Sequence, residues 1–325
     1  MLPRYMGDPC NFEVRIDMKG FEKRRNQTTP LLFSLPVLIC IVVYMILPLL
    51  INVVLAFTNF SLQNLNNIEG TTRFIGIDNF LSLWGGGRLL RMIGRTFIWM
   101  AGSLVFSILL GVLFATVLTF DIKGKNIMKA VVLMPWVLPE VITGYVMRWM
   151  FVSEQGILWS VLVKMGLLSP DSRMLSDPTI AMALVIFANV WRAAPYVAIM
   201  VYGKLKSLPQ NQIEAARIDG ANAVQSFVYV TVPWVWPIVK RCALLLFVWS
   251  FNAYSIIYTM TSGGPANATM ILPLALRNMA FGQYAFGKGS AYGMITLLIL
   301  LICMLIMSIL FRISRVIYRK VRRRA

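Results

Sequence analysis

The 325-residue sequence contains no histidine, 13 acidic residues and four cysteines. Histidine is the commonest metal ligand and the side chain that titrates near neutral pH, so its absence argues against a zinc or haem site and against histidine-based catalysis. The scattered Cys10, Cys40, Cys242 and Cys303 predict no disulfide framework. Charged residues make up 14% of the chain, against about 25% in soluble domains. We therefore expect neither a soluble fold nor a catalytic, metal or cofactor site.

Hydrophobic residues, by contrast, make up 58% of the chain and gather in six long runs. An α-helix of about 20 apolar residues crosses about 30 Å of hydrocarbon, whereas a barrel strand would show shorter, alternating runs. The predicted fold class is therefore an all-α membrane protein with six transmembrane helices in one membrane domain, 31–312. The spans are predicted near 31–57, 96–120, 130–152, 179–202, 236–260 and 289–312.

Basic residues predict the orientation of these spans. If the N-terminus is cytoplasmic, the inner segments carry 21 of the 31 Lys and Arg residues and the outer segments carry eight. Both termini, an N-terminal segment 1–30 and a basic tail 313–325, are then predicted to be cytoplasmic. The net charge of the chain is +18, and its basic residues are densest in RISRVIYRKVRRRA, directly after the last span. This placement favours anchoring to anionic membrane lipid over binding of nucleic acid.

The loop 203–235, between the fourth and fifth spans, has helix signals of its own. Ser207 is a predicted cap, a helix follows to Asp219, and Gly220 suits the left-handed position that ends many helices. A second short helix is predicted over 222–229, with prolines marking the start of span five. Taken alone, such an amphipathic hairpin can also lie on the bilayer surface.

The hairpin sequence EAARIDGANAVQSFVYVTVP, residues 214–233, resembles the EAA loop of the inner-membrane subunits of binding-protein-dependent ABC importers. The family pattern is EAA, three residues, Gly, nine residues, then Ile, any residue, Leu and Pro. Val230 and Val232 stand here for the Ile and Leu. The resemblance implies that the hairpin is a coupling helix that docks on an ATP-binding subunit. The coupling residues it implies are Glu214, Ala215, Ala216, Asp219, Gly220 and Pro233.

Further stretches are similar to the carbohydrate-uptake branch of that family and to its maltose-transporter-type first membrane subunit. They are KLKSLPQNQIEAARIDGA, FIGIDNF at 74–80 and FNAYSIIYTMTSGGPANAT at 251–269. The resemblance implies a bacterial inner-membrane permease subunit of an ATP-driven sugar importer. The implied partners are a second homologous permease, two ATP-binding subunits, an external solute-binding protein, the sugar and membrane lipid.

The chain contains one stretch that looks like a phosphate-binding loop. GQYAFGK, residues 282–288, matches the first seven positions of the motif. Gly289 occupies the next position, where Ser or Thr would bind magnesium, and the stretch lies in a predicted outer loop without a strand before it. We therefore expect ATP and magnesium to be bound by the partner subunit and not by this chain.

Ionisable residues within spans are costly and mark candidate functional sites. Glu140 lies in span three beside Pro135 and Pro139, which can break the helix locally, and Arg192 lies in span four. Polar stripes at helical spacing suit hydrogen bonds to a sugar, and aromatic rings can stack on its apolar faces. The candidate pathway residues are Glu140, Asn189, Trp191, Arg192, Tyr196, Trp249, Asn252, Tyr254 and Ser255. Thr259 shares a predicted helical face with Asn252 and Ser255.

A purely structural role is the alternative for each of these residues. Glu140 and Arg192 can form a structural ion pair, amides can bond between helices, and Trp and Tyr also populate the membrane interface. A rival function is an ion- or proton-coupled secondary transporter that titrates Glu140, which leaves the hairpin without a role. A channel or membrane scaffold is a third reading. The sequence leaves open which sugar or sugar derivative is carried.

Overall fold

The computed structural model describes residues 28–62, 72–120 and 123–322. These residues are helical apart from turns and one isolated bridge between Thr58 and Phe74. The predicted all-α class is thus confirmed. Most of the predicted N-terminal segment and the last three residues of the tail lie outside the described residues. The chain divides between Ile51 and Asn52 into two compact units.

The described part of the first unit, from Thr28 onward, is a run of apolar helix. Helix α1, Thr28–Ile41, passes through a π-turn at Val42–Ile46 into α2, Leu47–Ala56, which continues past the unit boundary. Residues Phe33–Ala56 are long and apolar enough to cross a membrane. This segment matches the first predicted span.

The remaining described helices lie in the second unit. In chain order they are α3 (Asp78–Trp84), α4 (Arg88–Val117), α5 (Lys125–Val137), α6 (Glu140–Phe151), α7 (Ile157–Lys164), α8 (Pro178–Lys206), α9 (Gln210–Ile218), α10 (Ala223–Ser226), α11 (Val232–Asn252), α12 (Ser255–Thr261), α13 (Leu272–Arg277) and α14 (Phe286–Arg322). Four helical segments here can span a membrane: Arg88–Val117, Pro178–Lys206, Ala223–Asn252 and Phe286–Ile313.

The predicted third span is broken. Helices α5 and α6 meet at 101°. If this bent pair counts as one span, the described residues contain six candidate spans. Leu138, between them, is extended, and Pro139 stands at the N-terminal boundary of α6. A residue before proline is pushed out of the helical region, which explains the break. The expectation that prolines interrupt this span beside Glu140 is confirmed.

The helix at predicted span five, 236–260, begins earlier and ends earlier than that range. Helix α10 does not stop at the prolines but continues through a π-turn, Phe227–Thr231, into α11. Pro233 is the second residue of α11, directly after the π-turn that joins α10 to α11. The helix then ends at Asn252, eight residues before the predicted end, and α12 starts separately.

The core of the second unit forms where α4 packs on α8. Close approach is possible because Gly111 faces Val197, which a side chain at position 111 would overlap. The fully buried Trp99 of α4 donates its indole N–H to the Ser250 carbonyl at 2.8 Å and so ties α4 to α11. Small residues that bring backbones together, with hydrogen bonds between helices, are typical of membrane bundles.

Candidate translocation and coupling sites

The two charged residues predicted within spans form an ion pair. Arg192 Nη2 on α8 lies 2.6 Å from Glu140 Oε1, at the first residue of α6. Their side chains are 15% and 30% exposed, so the pair is largely withdrawn from the surface. The break in the span therefore presents the carboxylate, at the positive N-terminus of α6, to the guanidinium of α8.

Three aromatic rings form a group around Tyr196 of α8. The Tyr196 ring, one turn along α8 from Arg192, lies with its centroid 5.8 Å from that of Trp136 and 5.2 Å from that of Trp249. Both indoles remain about two-fifths exposed, at 40% and 42%. We call Glu140, Arg192, Trp136, Tyr196 and Trp249 the pathway cluster. Its half-exposed rings next to charged groups can stack on, and hydrogen bond to, a polar ligand.

Sequence reasoning missed Trp136. The signal was available, because Trp136 directly follows Pro135 and lies one helical turn before Glu140 in the same interrupted span. What the sequence does not contain is the 101° bend between α5 and α6, which the structure places between this indole and Glu140.

Two other predicted pathway residues belong to the interior. Asn189 is buried, and its amide donates to Ser250 Oγ at 3.4 Å, which links α8 to α11. Trp191 is half-buried and packs against the largest apolar cluster. These contacts favour the structural alternative for both residues, with the amide bonding between helices.

The polar stripe predicted along span five is interrupted. Asn252 is the last residue of α11, where its amide donates to the Val248 carbonyl at 2.9 Å, and Ser255 begins α12. Thr259 is buried and donates back to the Ser255 carbonyl at 2.8 Å. Tyr254, in the break, is half-buried against the apolar core. The single helical face predicted for these residues is therefore wrong, because Ala253 leaves the helix.

The EAA segment forms a compact hairpin held by local hydrogen bonds. Gly220 has φ +81°, its N–H donates to the Arg217 carbonyl at 3.0 Å, and the next N–H donates to Ala216 at 2.9 Å. This pair of bonds is a Schellman motif, which needs a left-handed residue. The expectation for Gly220 is thus confirmed. Asn222 then starts α10 in a capping box with Gln225, at 2.8 and 2.9 Å.

The predicted cap at Ser207 is wrong. Its hydroxyl donates to the Lys204 carbonyl at 2.8 Å and so closes the end of α8 instead of opening the hairpin. Helix α9 begins after Pro209 without a side-chain cap. A serine hydroxyl can hydrogen bond at either end of a helix. Here Ser207 serves the end of α8, and Pro209 stands at the start of the next helix.

The hairpin has one exposed and one inward side. Ile213, Ala216 and Phe227 are half-buried. The motif residues Glu214, Ala215, Asp219 and Gly220 are exposed, and Pro233 is half-buried within α11. Ile218 is 86% exposed.

The base of the hairpin is tied to the two helices that flank it. Trp234 of α11 donates its indole N–H to the Lys204 carbonyl at 3.1 Å, while Lys204 Nζ lies 4.0 Å from the centroid of the same ring. Lys204 and Arg192 both belong to α8, which contains Pro195 between them, and are about 18 Å apart along its axis. The hairpin and the pathway cluster are thus connected through one helix.

Together, the helical spans, the broken span with a charged pair and the self-capped hairpin define a multi-pass membrane transport protein. A family model described as the binding-protein-dependent transport system inner membrane component matches residues 107–323. The chain belongs to this family and is the permease type of subunit found in ABC importers.

Named relatives agree with this assignment. The chain is 28% identical to a probable ABC transporter permease protein of Brucella suis, over 86% of this chain and 94% of the relative. It is 30% identical to DasB, the diacetylchitobiose uptake system permease protein of Streptomyces coelicolor, over 86% and 85%. It is 28% identical to MalF of the trehalose/maltose transport system of Thermococcus litoralis, over 86% and 92%.

Among solved structures, the chain has the fold of a subunit of a bacterial alginate ABC transporter, solved in complex with an alginate pentasaccharide-bound periplasmic protein. The TM-score is 0.70 at 20% identity, over 90% of this chain and 94% of that one.

Proposed function

We propose that this chain forms one half of the translocation pathway of an ATP-driven sugar importer. We also propose that its hairpin is the element that an ATP-binding subunit contacts and moves. The observation that carries the proposal is the hairpin: Glu214 and Ala215 are exposed on a short helix pair that is joined by a Schellman motif and a capping box. The relatives named for diacetylchitobiose and for trehalose and maltose support a sugar as cargo.

The hairpin lies on the cytoplasmic side in this proposal, with both chain termini. The excess of Lys and Arg in the segments on that side supports the orientation. A solute-binding protein then delivers the sugar at the opposite face. A second homologous permease completes the pathway, and two ATP-binding subunits contribute ATP and magnesium.

The proposed coupling is mechanical. ATP binding closes the two ATP-binding subunits, and a partner groove moves α9 and α10 as one body. The tie between Lys204 and Trp234 passes the displacement to α8 and α11. Because packed helices shift between discrete arrangements, this movement turns the pathway from inward-facing to outward-facing. Hydrolysis and release of the products reset it.

The pathway cluster is the proposed contact surface for the sugar within this chain. Trp136, Tyr196 and Trp249 offer ring faces, and the Glu140–Arg192 pair offers charged hydrogen-bond partners. Asn252, exposed at the end of α11, is a further candidate. Glu140 lies 2.6 Å from Arg192, so its carboxylate is held by a partner on α8.

The test uses the chain co-expressed with its partner subunits. Glu214→Arg is expected to reduce retention of the ATP-binding subunit and ATP-driven uptake by at least tenfold, since it reverses a charge on the docking surface. Glu154→Arg is the matched control, because it makes the same charge change at an exposed position outside the hairpin. Equal losses in both variants would contradict the proposal.

A second arm separates this function from its rival. With ATP maintained, a protonophore is expected to leave uptake unchanged. If uptake stops with the proton gradient and the Glu214→Arg variant keeps its activity, the secondary-transporter reading stands instead. Orientation is tested with single cysteines in place of Gln212 and Gln283, on a background without native cysteines. An impermeant maleimide should label Gln283→Cys in intact cells and Gln212→Cys only after permeabilisation.

A further inference from the structure

A cavity of about 640 Å³ lies between the hairpin and the ends of α4 and α8. This volume is within the roughly 300–1,000 Å³ of ligand pockets. Because α4 and α8 are both long and apolar enough to cross a membrane, the ends at which they meet the hairpin mark the level of lipid headgroups. The lining residues come from these two helix ends and from the hairpin, and they include Thr116, Phe120, Leu205, Lys206, Arg217 and Ser226.

Positive charge gathers at this cavity. Lys206 of α8 and Arg217 of α9 line it, and none of the described lining residues is acidic. Lys129 of α5 approaches from a third helix, because its Nζ lies 4.9 Å from the centroid of the Tyr202 ring and Lys206 Nζ lies 5.9 Å from the same centroid. Like charges that converge from separate helices repel one another, and an anion between them is attracted by all of them. The cavity therefore suits an anionic ligand.

The lining also contains a polar atom that a ligand could satisfy. Ser226 Oγ is buried and has no hydrogen-bond partner among the described residues. Buried hydroxyl groups in proteins are normally hydrogen-bonded, so this atom is a candidate donor to a ligand oxygen. At the rim, Lys125 Nζ lies 3.4 Å from the carbonyl oxygen of Thr119, which is part of the lining. Cationic donors next to a hydroxyl donor suit a phosphate group, which accepts several hydrogen bonds at once.

An apolar groove begins on α4 next to this cavity. It has a volume of about 540 Å³, and the described residues that line it, from α4 and α8, are all apolar. Its α4 wall is a stripe at i, i+3, i+4 and i+7, formed by Phe106, Leu109, Leu110 and Leu113. Leu113 and Thr116 of the cavity are three positions apart and so are neighbours on the helix surface. From Thr116 to Phe106 the distance along α4 is about 15 Å, half of the roughly 30 Å thickness of the hydrocarbon.

We propose that the cavity and the groove together bind one anionic phospholipid. Its phosphate lies among Lys206, Arg217 and Ser226, and one acyl chain follows the apolar stripe of α4 through a single leaflet. The inference rests on the proposed function for placing this site in the cytoplasmic leaflet, whose surface is negatively charged. A soluble phosphate shares the headgroup chemistry but leaves the groove empty. A zwitterionic lipid fills the groove but brings a cation of its own to the basic side chains.

The experiment uses the purified complex with its partner subunits, stripped of lipid in detergent and titrated with dioleoyl phosphatidylglycerol or dioleoyl phosphatidylcholine. Native mass spectrometry counts the bound lipids. We expect the wild-type complex to bind its first phosphatidylglycerol at least tenfold more tightly than its first phosphatidylcholine. Lys206→Gln/Arg217→Gln should lose this preference, and Lys206→Arg/Arg217→Lys should keep it. Lys164→Gln/Arg173→Gln, the same charge change at exposed positions outside the lining, is the matched control.

Equal affinity of the wild-type complex for the two lipids overturns the proposal. So does a preference that survives in Lys206→Gln/Arg217→Gln, because the lipid then binds elsewhere, for example at the basic tail. Amide hydrogen exchange locates the bound lipid independently. Phosphatidylglycerol should slow exchange at least threefold over residues 210–218 in the wild-type complex and not in the glutamine variant. Equal slowing in both contradicts the site.

Two further arms distinguish a lipid from a soluble phosphate. Leu113 is 56% exposed, so Leu113→Trp can fill the groove without disturbing the core or changing a charge. We expect it to weaken binding of phosphatidylglycerol at least fivefold. Glycerol 1-phosphate, in tenfold excess, should not displace the lipid from the wild-type complex. If it does displace the lipid and Leu113→Trp binds as the wild type does, the site takes a soluble phosphate and the lipid proposal is overturned.

Lipid binding requires no ATP, so the two proposals can fail separately. If phosphatidylglycerol is preferred but the complex shows no ATP-driven uptake, the proposed function fails and the lipid site stands. If uptake and ATP hydrolysis are normal but the preference is missing, only the lipid site fails. Folding of each variant is checked by co-purification with the partner subunits. Leu113→Trp, which lies outside the hairpin, keeps the test decisive if the glutamine variant loses those subunits.

Discussion

The hairpin and the pathway cluster are built on opposite principles. The hydrogen bonds that shape the hairpin join residues three to five positions apart, as between Ala216 and Ala221 or between Asn222 and Gln225. The ion pair of the pathway cluster joins residues 52 positions apart, Glu140 and Arg192. One region is thus a self-contained module, and the other exists only when the helices around it are assembled.

This difference predicts that stability and coupling can be damaged separately. A lesion in the hairpin should leave the packed helices intact, because its bonds do not hold the core together. A lesion in the pathway cluster, or in the helices that place it, should lower the free energy of unfolding of the whole second unit. The changes below test this separation, from the largest expected effect to the smallest.

Replacing Arg192 should have the largest effect. Arg192→Met leaves the Glu140 carboxylate unpaired in a largely buried position. Breaking a buried pair costs about 3–5 kcal/mol, and the partial exposure of both groups reduces this to about 2–4 kcal/mol. Reversible chemical unfolding of the purified chain in detergent measures the loss.

The double variant Glu140→Gln/Arg192→Met is the control for this change, because it removes both charges. It should recover most of the lost stability if the pair is structural. Recovered stability with uptake still abolished would assign the pair a role in transport. Failure of the double variant to recover any stability would contradict the pairwise account, since the loss would then come from packing around Arg192.

The contact of α6 with α12 should be nearly as sensitive. Gly144 lies one turn after Glu140, and a Cβ added there would overlap Thr259 Oγ1 and approach the Ile256 carbonyl at 3.2 Å. Gly144→Ala should therefore cost about 1–3 kcal/mol, the range for overpacked cores. Gly94→Ala, in α4 with no atom within 4 Å of the new methyl group, is the matched control. It should gain about 0.5–1 kcal/mol from helix propensity, and similar losses in both would refute the packing argument.

Gly220 tests the hairpin side of the comparison. Its φ of +81° costs a residue with a Cβ about 1–2 kcal/mol, although nothing lies within 4 Å of the added atom. Gly220→Val should distort the hairpin, reduce uptake at least fivefold and leave the unfolding of the helical core unchanged. Gly203→Ala, equally open in space but in α8, should change neither quantity. A loss of core stability in Gly220→Val would show that the hairpin is not a separate module.

The same difference explains what the sequence could predict. Span positions follow from apolar run length, and the Gly220 turn follows from one residue type at one spacing, so both were predictable. The helix at span five begins before the predicted range, because the chain stays helical past Pro233 and Pro237 by way of a π-turn before α11. The Trp136 contact was missed because it depends on a 101° bend, which sequence spacing does not encode.

The cap of α10 should give the smallest effect and the sharpest test of locality. Asn222→Ala removes an acceptor for the Gln225 N–H at 2.8 Å, which is worth about 1 kcal/mol. Amide hydrogen exchange over residues 223–226 should therefore accelerate about fivefold, while the amides of α8 stay unchanged. Gln225→Glu is the control, because a carboxylate oxygen can still accept from the Asn222 N–H and complete the box. Helix α10 runs without a break into α11. If faster exchange spreads beyond the π-turn, the hairpin and the span unfold together. The contrast between a local module and an assembled cluster would then be lost.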